Sequence, residues 1–229
     1  MKQGCRTPKK TSLCGPLAPT RVAAILAALD EAYPRAECAL THHSPWELLV
    51  ATILSAQCTD VRVNMVTPEL FRRFPTPQAM AKATLPQLEA LIRTTGFFRN
   101  KAKSIQGAAR KIVSDFDGKV PQTLAELITI PGAARKTANV VLGVAFNKAE
   151  GVVVDTHVFR IAHRLGLAKG ETPQKVEQEL MRILPQSRWI DFSHQIIHHG
   201  RQVCEARKPK CGRCNLEQIC NAKDKTWQS

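Results

Sequence analysis

Two ionisable side chains stand in contexts that suit covalent chemistry. Lys136 follows Arg135 near the start of a predicted helix, where the helix dipole disfavours a cation and favours the neutral, nucleophilic amine. Asp155 separates the apolar run 152–154 from another predicted helix, so its carboxylate is fixed at a helix mouth and can stabilise developing positive charge. The plainer alternatives remain open: Lys136 as a phosphate clamp and Asp155 as a simple helix cap.

The segment 123–138 predicts two helices joined by a tight turn at Pro131-Gly132, a helix–hairpin–helix pattern. Gly132 can adopt positive φ and lets the backbone approach another group closely. The N–H groups at the start of the second helix lack internal partners, so they can bind a phosphate, and Arg135 adds charge beside them. An ordinary turn between two helices is the alternative.

Four cysteines lie within seventeen residues near the end of the chain, at Cys204, Cys211, Cys214 and Cys220. The chain has no apolar segment typical of a secretory signal, which favours a metal site over disulfides. The uneven gaps favour a [4Fe–4S] cluster, while zinc stays an alternative because one C-x2-C pair is present. The loop between the first two cysteines carries Arg207, Lys208 and Lys210, whose charges could press on a DNA backbone.

Positive charge dominates the composition. The 229 residues include 33 Lys and Arg against 19 Asp and Glu, a formal net charge of +14. Such a surplus favours a polyanionic partner, because binding phosphates releases condensed counterions. Residues 1–19 carry Lys and Arg but no acid and are expected to form a disordered basic extension. No apolar run reaches the ~18 residues of a membrane span, so no membrane partner is expected.

Helical periodicity and capping signals predict an all-α fold with short loops. Ser44-Pro45 opens a helix expected to run to about Gln57, and Thr84 caps a helix that Gly96 ends in a left-handed position. Residues 100–116 form an amphipathic pattern. Two further caps followed by proline are Thr76-Pro77 and Thr172-Pro173. Gln57, at a helix end, could fill a gap in a duplex, although most such glutamines only cap or solvate a turn.

These segments, in this order, resemble the endonuclease III family of DNA glycosylases over about residues 20–222. The most specific elements are 135–141, 154–157 and the four-cysteine spacing. The resemblance implies two helical lobes with a DNA-binding cleft between them. A six-helix barrel with the helix–hairpin–helix would span 38–149. A second lobe, holding the [4Fe–4S] cluster, would join 20–37 to 150–222, followed by a tail at 223–229.

The resemblance also implies roles for individual residues. Lys136 would be the nucleophile and Asp155 its assistant, while Gln57 would plug the hole left by a flipped nucleotide and Phe97 would wedge into the opposite strand. The implied activity removes oxidised pyrimidines from duplex DNA and then cleaves the strand on the 3′ side of the abasic site by β-elimination. We expect a monomer that acts on damaged duplex DNA in the cytoplasm, associated with the nucleoid if the source is bacterial.

Two positions depart from the usual family pattern. The hairpin reads Pro131-Gly132-Ala133-Ala134 where a second glycine is common, and Ala134 cannot easily adopt positive φ. If that residue needs such a conformation, DNA affinity falls or the hairpin geometry differs. Phe97 is bulkier than the leucine usual at its place, which could change damage preference.

Other functional classes compete with this interpretation. A monofunctional mismatch glycosylase would lack the lysine, and the adenine-specific type usually carries an extra C-terminal domain, whereas only nine residues follow Cys220. A non-catalytic helix–hairpin–helix protein with a structural cluster would need the basic surface but not Asp155. An electron carrier would more naturally be acidic.

Overall fold

The computed structural model describes residues 18–227 and is helical, with no strand in that range. The part of the 1–19 extension that precedes residue 18, and the last two residues of the predicted tail, lie outside the described residues. The α-helices are α1 Pro19–Ala32, α2 Pro45–Leu54, α3 Asp60–Arg73, α4 Pro77–Lys82, α5 Leu85–Ile92, α6 Phe98–Asp115, α7 Leu124–Leu127, α8 Arg135–Phe146, α9 Thr156–Arg164, α10 Pro173–Ile183 and α11 Trp189–Gln202. One-turn 3₁₀ helices lie at Arg93–Thr95, Gln186–Arg188, Cys211–Arg213 and Glu217–Ile219.

Polar side chains fix where most of these helices begin. Ser44, Thr76 and Thr172 each accept the backbone N–H three residues ahead, as their sequence context predicted. Gln87 accepts the N–H of Thr84, which places the start of α5. Such caps satisfy donors that the first turn of a helix leaves without partners.

Two predicted helix ends are wrong. Helix α2 stops at Leu54 rather than near Gln57, because Gln57 has a φ of +52° and cannot continue a right-handed helix. Helix α5 ends at Ile92 and a 3₁₀ turn follows it. Gly96 has the expected positive φ of +70°, but its ψ of 150° lies outside the left-handed helical region.

The first lobe consists of α2 to α8, packed around one cluster of buried apolar side chains. Every residue of α2 from Leu48 to Leu54 is buried, so this helix forms the centre of the lobe. The hairpin before α8 packs tightly on its neighbours: a Cβ at Gly132 would lie 2.8 Å from the Cβ of Ser104 and 3.2 Å from Ile53. The position of the hairpin is therefore set by α2 and α6.

The second lobe joins α1 to the chain from about residue 150 onward, around a separate cluster of buried apolar residues. Arg21, in α1, donates to the carbonyl oxygens of Leu165 and Ile219, each at 2.6 Å. Residues of the predicted tail also pack here, since the carboxylate of Asp224 lies 2.6 Å from Arg164. Across residues 18–227 no helix is both long and apolar enough to cross a membrane.

Several contacts join the lobes. Arg135 pairs with Glu177, and Arg201 pairs with Asp60 at 2.6 Å. A Cβ on Gly143 of α8 would lie 3.2 Å from Ile190 of α11, so the two helices approach closely at this glycine. Because α8 and α11 touch here, residues carried by the two lobes face one another across a narrow gap.

Candidate active site

Lys136 is the second residue of α8, and its side chain is exposed. Ala134 is the N-cap residue of α8, and its side chain offers no hydrogen bond to the first turn. Within the described part of the chain, the Lys136 amine has no hydrogen-bond or ion-pair partner. The amine is therefore available to a molecule that enters from solvent.

Asp155 caps α9, and its role in the fold uses one oxygen only. Oδ1 accepts the backbone N–H groups of His157 and Val158, both at 2.8 Å. Oδ2 has no partner among residues 18–227. The segment before Asp155 is held by α11, because the Val153 N–H donates to Ser193 Oγ at 3.1 Å. The cap and this anchor together fix the direction of the carboxylate.

His157 fixes α9 against α11. Its Nδ1 accepts from Arg160 Nη2 at 3.2 Å, and burial lowers its pKa, a shift that the charge of Asp155 partly opposes. A Cβ on Gly200 would lie 2.6 Å from His157 Nδ1, so only glycine fits there without displacing the ring. Helix α9, with Asp155 at its start, therefore depends on a glycine in α11.

Lys136 and Asp155 line the same cavity, of about 100 Å³, between the lobes. The cavity is open to solvent on one side, and α2, α8 and α11 supply most of its wall. Other polar or ionisable residues of the wall are Glu37, Cys38, Thr52, Ser55, Asp60, Asn139, Ser193, His194, His198 and Arg201. The structure thus brings together the two residues that the sequence singled out for chemistry.

Gln57 and Phe97 lie together at a second cavity, of about 200 Å³, which Asn100, Lys101 and Ser104 also line. Both side chains are exposed, Phe97 to 65%. Both have left-handed backbone, with φ values of +52° and +46°. Non-glycine residues rarely adopt this conformation, and such strained positions cluster at sites of function. The two residues proposed to enter DNA share an unusual backbone and one surface.

The hairpin presents an uncapped helix start. Gly132 has a φ of +82°, as the sequence predicted, while Ala134 has φ −70° and ψ 169°, an extended conformation that alanine adopts freely. Ala134 therefore does not need the positive φ that would strain an alanine. With no side-chain cap on α8, its first N–H groups face solvent beside Gly132 and can bind an anion.

Arg135 is not a free cation. Its Nε and Nη2 donate to the two oxygens of Glu177 at 2.8 and 3.1 Å, an ion pair that raises the pKa of Arg135. Its side chain stays 43% exposed, and Nη1 has no partner in the described residues. The edge formed by Nε and Nη2 is thus paired with Glu177, while Nη1 remains available on the exposed side of the residue.

All four clustered cysteines line one cavity in the second lobe, and none forms a disulfide. Burial and the three neighbouring cysteines raise the pKa of the Cys214 thiol to about 11, against a lowering hydrogen bond from the Leu216 backbone. In residues 18–227, no three His, Cys, Asp or Glu side chains converge on one metal-ion position. The four thiols instead surround a shared space.

Donors already point at these sulfurs. Arg164 Nη1 donates to Cys204 Sγ at 3.3 Å, the Thr226 N–H donates to Cys211 Sγ at 3.4 Å, and His199 Nε2 lies 3.6 Å from Cys214 Sγ. Hydrogen bonds of this kind stabilise thiolate ligands. Four thiols around one enclosure, with two donors directed at them, fit a multinuclear cluster.

The loop between Cys204 and Cys211 carries the three predicted cations on its surface. Arg207 and Lys208 are exposed and have no ion-pair partner in the described residues. Lys210 is different, because its Nζ lies 2.6 Å from Glu205 and also donates to the Gln202 carbonyl. Arg164 holds the loop by donating to the carbonyls of Glu205 and Ala206.

Sequence reasoning missed Glu177 and Asn139, which are hydrogen-bonded to each other beside the first turn of α8. Asn139 Nδ2 donates to Glu177 Oε1 at 2.8 Å, a contact between residues 38 apart in sequence. Glu177 lies on an amphipathic helix with no motif around it, so only the fold reveals it.

Comparisons with known proteins agree with the arrangement of this site. A family model described as "HhH-GPD superfamily base excision DNA repair protein" matches residues 50–186. Endonuclease III of Synechocystis sp. is 58% identical over 200 residues, which cover 87% of this chain and 91% of that protein. Endonuclease III of Escherichia coli is 41% identical over 201 residues, which cover 88% and 95% of the two chains.

A solved structure is similar throughout. It is a trapped endonuclease III–DNA covalent intermediate, described as an estranged-adenine complex, with a TM-score of 0.85 and 40% identity. The match covers 91% of this chain and 97% of that one. The all-α, two-lobed architecture predicted from the sequence is confirmed.

Proposed function

The chain belongs to the HhH-GPD superfamily of base excision DNA repair proteins and is a DNA glycosylase and abasic-site lyase of the endonuclease III type. From this premise we propose that it removes oxidised pyrimidines from duplex DNA and then cleaves the strand, using Lys136 and Asp155. The observation that carries the residue assignment is the shared cavity, in which an unpartnered amine and an unpartnered carboxylate oxygen face the same space.

The chemistry begins when the damaged nucleotide leaves the duplex, which costs least for a poorly stacked or poorly paired base. The nitrogen lone pair of Lys136 attacks C1′ of the sugar while the C1′–N bond to the base breaks, and the departing base takes up a proton. Oδ2 of Asp155 stabilises the positive charge that develops on the sugar and assists the proton transfers. The C1′–O4′ bond then breaks, O4′ takes up a proton, and a protonated Schiff base forms between C1′ and Lys136. This Schiff base acidifies the C2′ hydrogens, and loss of one expels the 3′ phosphate by β-elimination.

DNA contacts are assigned to three surfaces as part of this proposal. The first N–H groups of α8 beside Gly132 and Ala134 bind a phosphate, with Nη1 of Arg135 adding charge. Gln57 fills the gap left by the flipped nucleotide, and Phe97 enters the opposite strand. Arg207, Lys208 and Lys210 contact the backbone from the loop between two cysteines. The exposure of these residues supports the assignment.

We further propose that Cys204, Cys211, Cys214 and Cys220 hold a [4Fe–4S] cluster. Bound there, the cluster would serve as a rigid staple that holds the basic loop. An absorbance spectrum separates the two metal assignments, because an iron–sulfur cluster gives a broad band near ~400 nm and zinc gives none. A colourless protein with bound zinc would contradict the proposal.

The two-lobe bounds, 38–149 and 20–37 with 150–222, are part of the same proposal, and two separate clusters of buried residues support them. We propose that the protein acts as a monomer on DNA in the cytoplasm, at the nucleoid if it is bacterial. The bacterial origin of the similar endonuclease III proteins supports this placement.

The test is a combined assay of base release and strand cleavage on duplexes bearing thymine glycol, a dihydropyrimidine or an abasic site. We expect Lys136→Gln to abolish both the strand cleavage and the adduct that borohydride traps between protein and DNA. Lys169→Gln, at an exposed lysine outside the cavity, is the matched control and should trap like the wild type.

Three outcomes would contradict the proposal. Trapping of Lys136→Gln at wild-type level would refute the nucleophile. Base release without cleavage by the wild type would indicate a monofunctional glycosylase. Tight binding with neither reaction on any of the three duplexes would indicate a non-catalytic DNA-binding protein.

A further inference from the structure

Glu177 places a buried carboxylate directly behind the start of α8. Its side chain is 6% exposed, and both of its oxygens accept hydrogen bonds from α8. Arg135 supplies two donors and Asn139 supplies one, all between 2.8 and 3.1 Å. A buried carboxylate is costly unless it is paired and hydrogen-bonded, so these contacts form a fixed unit.

The two partners of Glu177 flank Lys136 in the first turns of α8. Arg135 precedes the lysine, and Asn139 follows it by three residues, which places Asn139 on the same face of the helix as Lys136. The segment that leads to Asp155 packs on the same unit. A Cβ on Gly151 would lie 2.1 Å from Glu177 Oε1 and 2.5 Å from Asn139 Nδ2. Glu177 therefore packs against α8, which carries Lys136, and against the segment at Gly151 that leads to Asp155.

The orientation of the Asn139 amide follows from this contact. Because Nδ2 donates to Glu177, Oδ1 must face the other way. Asn139 is 4% exposed, and its Oδ1 is a buried acceptor with no partner in residues 18–227. A buried acceptor left without a donor costs about 1–3 kcal/mol, so this atom indicates a donor that arrives from elsewhere.

Lys136 is the donor that the geometry offers. Asn139 lines both the cavity that Lys136 and Asp155 share and a smaller one of about 40 Å³, and Lys136 is the one other residue common to both. A cavity of this size can hold a water molecule that bridges polar groups. Lys136 and Asn139 therefore border the same space, in which one water can link the amine to Oδ1.

We propose that Glu177 is a positioning residue that acts through Asn139. Glu177 holds the amide so that Oδ1 accepts one N–H of the Lys136 amine, which turns the nitrogen lone pair toward the sugar C1′. This inference rests on the proposed role of Lys136 as the nucleophile. Arg135 is the second anchor of the unit, and its pairing with Glu177 keeps the carboxylate fixed.

The test measures single-turnover borohydride trapping on an abasic duplex at saturating enzyme, with duplex affinity measured separately. We expect Glu177→Gln and Asn139→Ala each to slow trapping about 10- to 100-fold, since misplacement of a reacting group by about 1 Å has that effect. Duplex affinity of Asn139→Ala should stay within about 3-fold, because the hairpin, Arg135 and the basic loop are unchanged. Glu177→Gln removes a negative charge beside Arg135 and should therefore not weaken duplex binding. The double variant should be no slower than the slower single variant, since both act in one chain of contacts.

Asp30 provides the matched control. It accepts hydrogen bonds from Arg188 and Gln195, the same combination of carboxylate, guanidinium and carboxamide, and it lines neither of the two cavities that Lys136 lines. Asp30→Asn should leave trapping within about 2-fold of the wild type at a temperature where all variants are folded. This control separates positioning from a general loss of stability.

Each contrary result is decisive. The proposal would be overturned if Asn139→Ala trapped DNA at the wild-type rate. It would also be overturned if the rate losses of the two single variants multiplied in the double variant, or if Asp30→Asn slowed trapping as much as they do. If Glu177→Gln does not fold, Asn139→Ala decides alone, because it leaves the pair of Glu177 with Arg135 intact. If Lys136→Gln still traps DNA, the proposed function fails; if only Asn139→Ala behaves as the wild type, the positioning role alone fails.

Discussion

At the scale of single residues, one carboxylate oxygen of Asp155 caps α9, and the other is proposed to take part in the reaction. Asp155→Asn keeps an acceptor for the N–H groups of His157 and Val158 but removes the charge. Asparagine caps helices about as well as aspartate, so we expect unfolding free energy to fall by less than about 1 kcal/mol. Single-turnover base release should fall at least about 100-fold, as when one electrostatic stabiliser of a transition state is removed.

Asp155→Ala completes this comparison by removing the cap as well as the charge. It should lower the free energy of unfolding by about 1 kcal/mol and be no more active than the asparagine variant. Urea unfolding and base release measure the two effects separately. Full activity in Asp155→Asn would reduce Asp155 to a helix cap.

Gln57 is the second prediction at this scale, because its backbone has φ +52°. A left-handed residue other than glycine costs roughly 1–2 kcal/mol, which glycine avoids, although glycine loses about 0.5–1 kcal/mol more entropy on folding. We therefore expect Gln57→Gly to unfold at the same or a slightly higher urea concentration than Gln57→Ala, while both lose base release equally. A glycine variant less stable than the alanine variant would show that the backbone there is not strained.

The sequence identified residues that lie in compact motifs and missed those that depend on distant contacts. Lys136, Asp155 and the cysteines could be singled out because spacing along the chain carries their chemistry. Glu177 could not, because its partners are 38 and 42 residues away and nothing near it repeats a pattern. The same holds for the amide orientation of Asn139, which only the folded contacts define.

At the scale of elements, the contact between α9 and α11 depends on Gly200. Gly200→Ala would gain about 1 kcal/mol of helix propensity in isolation. Its Cβ would, however, lie 2.6 Å from His157 Nδ1, and overpacking of this kind typically costs about 1–3 kcal/mol. We expect a lower urea midpoint and slower base release, because the shift of α9 moves Asp155.

Gln202→Ala is the control for this element, because Gln202 is an exposed residue of α11 whose side chain has no hydrogen-bond partner in residues 18–227. It should leave both stability and base release unchanged. Pairing Gly200→Ala with His157→Ala should restore part of the stability, because the side chain that clashes is removed. No recovery in the pair would place the strain elsewhere.

Helix starts could be predicted from sequence more accurately than helix ends. A serine or threonine before proline indicates the start of a helix, because its side chain accepts a backbone N–H of the first turn, as at Ser44, Thr76 and Thr172. The end of α2 carries no such signal, because Ser55, Ala56 and Gln57 are acceptable in a helix. The left-handed backbone of Gln57 arises from tertiary structure, which the local sequence does not encode.

At the scale of the whole molecule, the charge of +14 predicts DNA binding that weakens with salt. Each phosphate contact adds about 0.9 to the slope of log affinity against log salt. Arg207→Ala and Lys208→Ala should each lower that slope by about 1. Lys210→Ala should lower it less, because Glu205 already neutralises much of its charge.

The measurement is duplex affinity across a salt series for the three variants and the wild type. Lys111→Ala, which removes a lysine paired with Asp115, serves as a surface control and should leave the slope unchanged. Equal slope changes for Arg207, Lys208 and Lys210 would contradict the assignment of Lys210 as a paired residue. No change for any of them would place the DNA away from this loop.

The docking of α1 on the far end of the chain affects how the protein is made. Arg21 donates to the carbonyl of Ile219, which lies 198 residues later, so α1 completes its native contacts only when nearly all of the chain that follows it has been made. At about 5–20 residues per second, that interval lasts roughly 10–40 s. During synthesis the apolar face of α1 lacks its native partners in the later part of the chain, while the first lobe, which lies between the two ends, can already form.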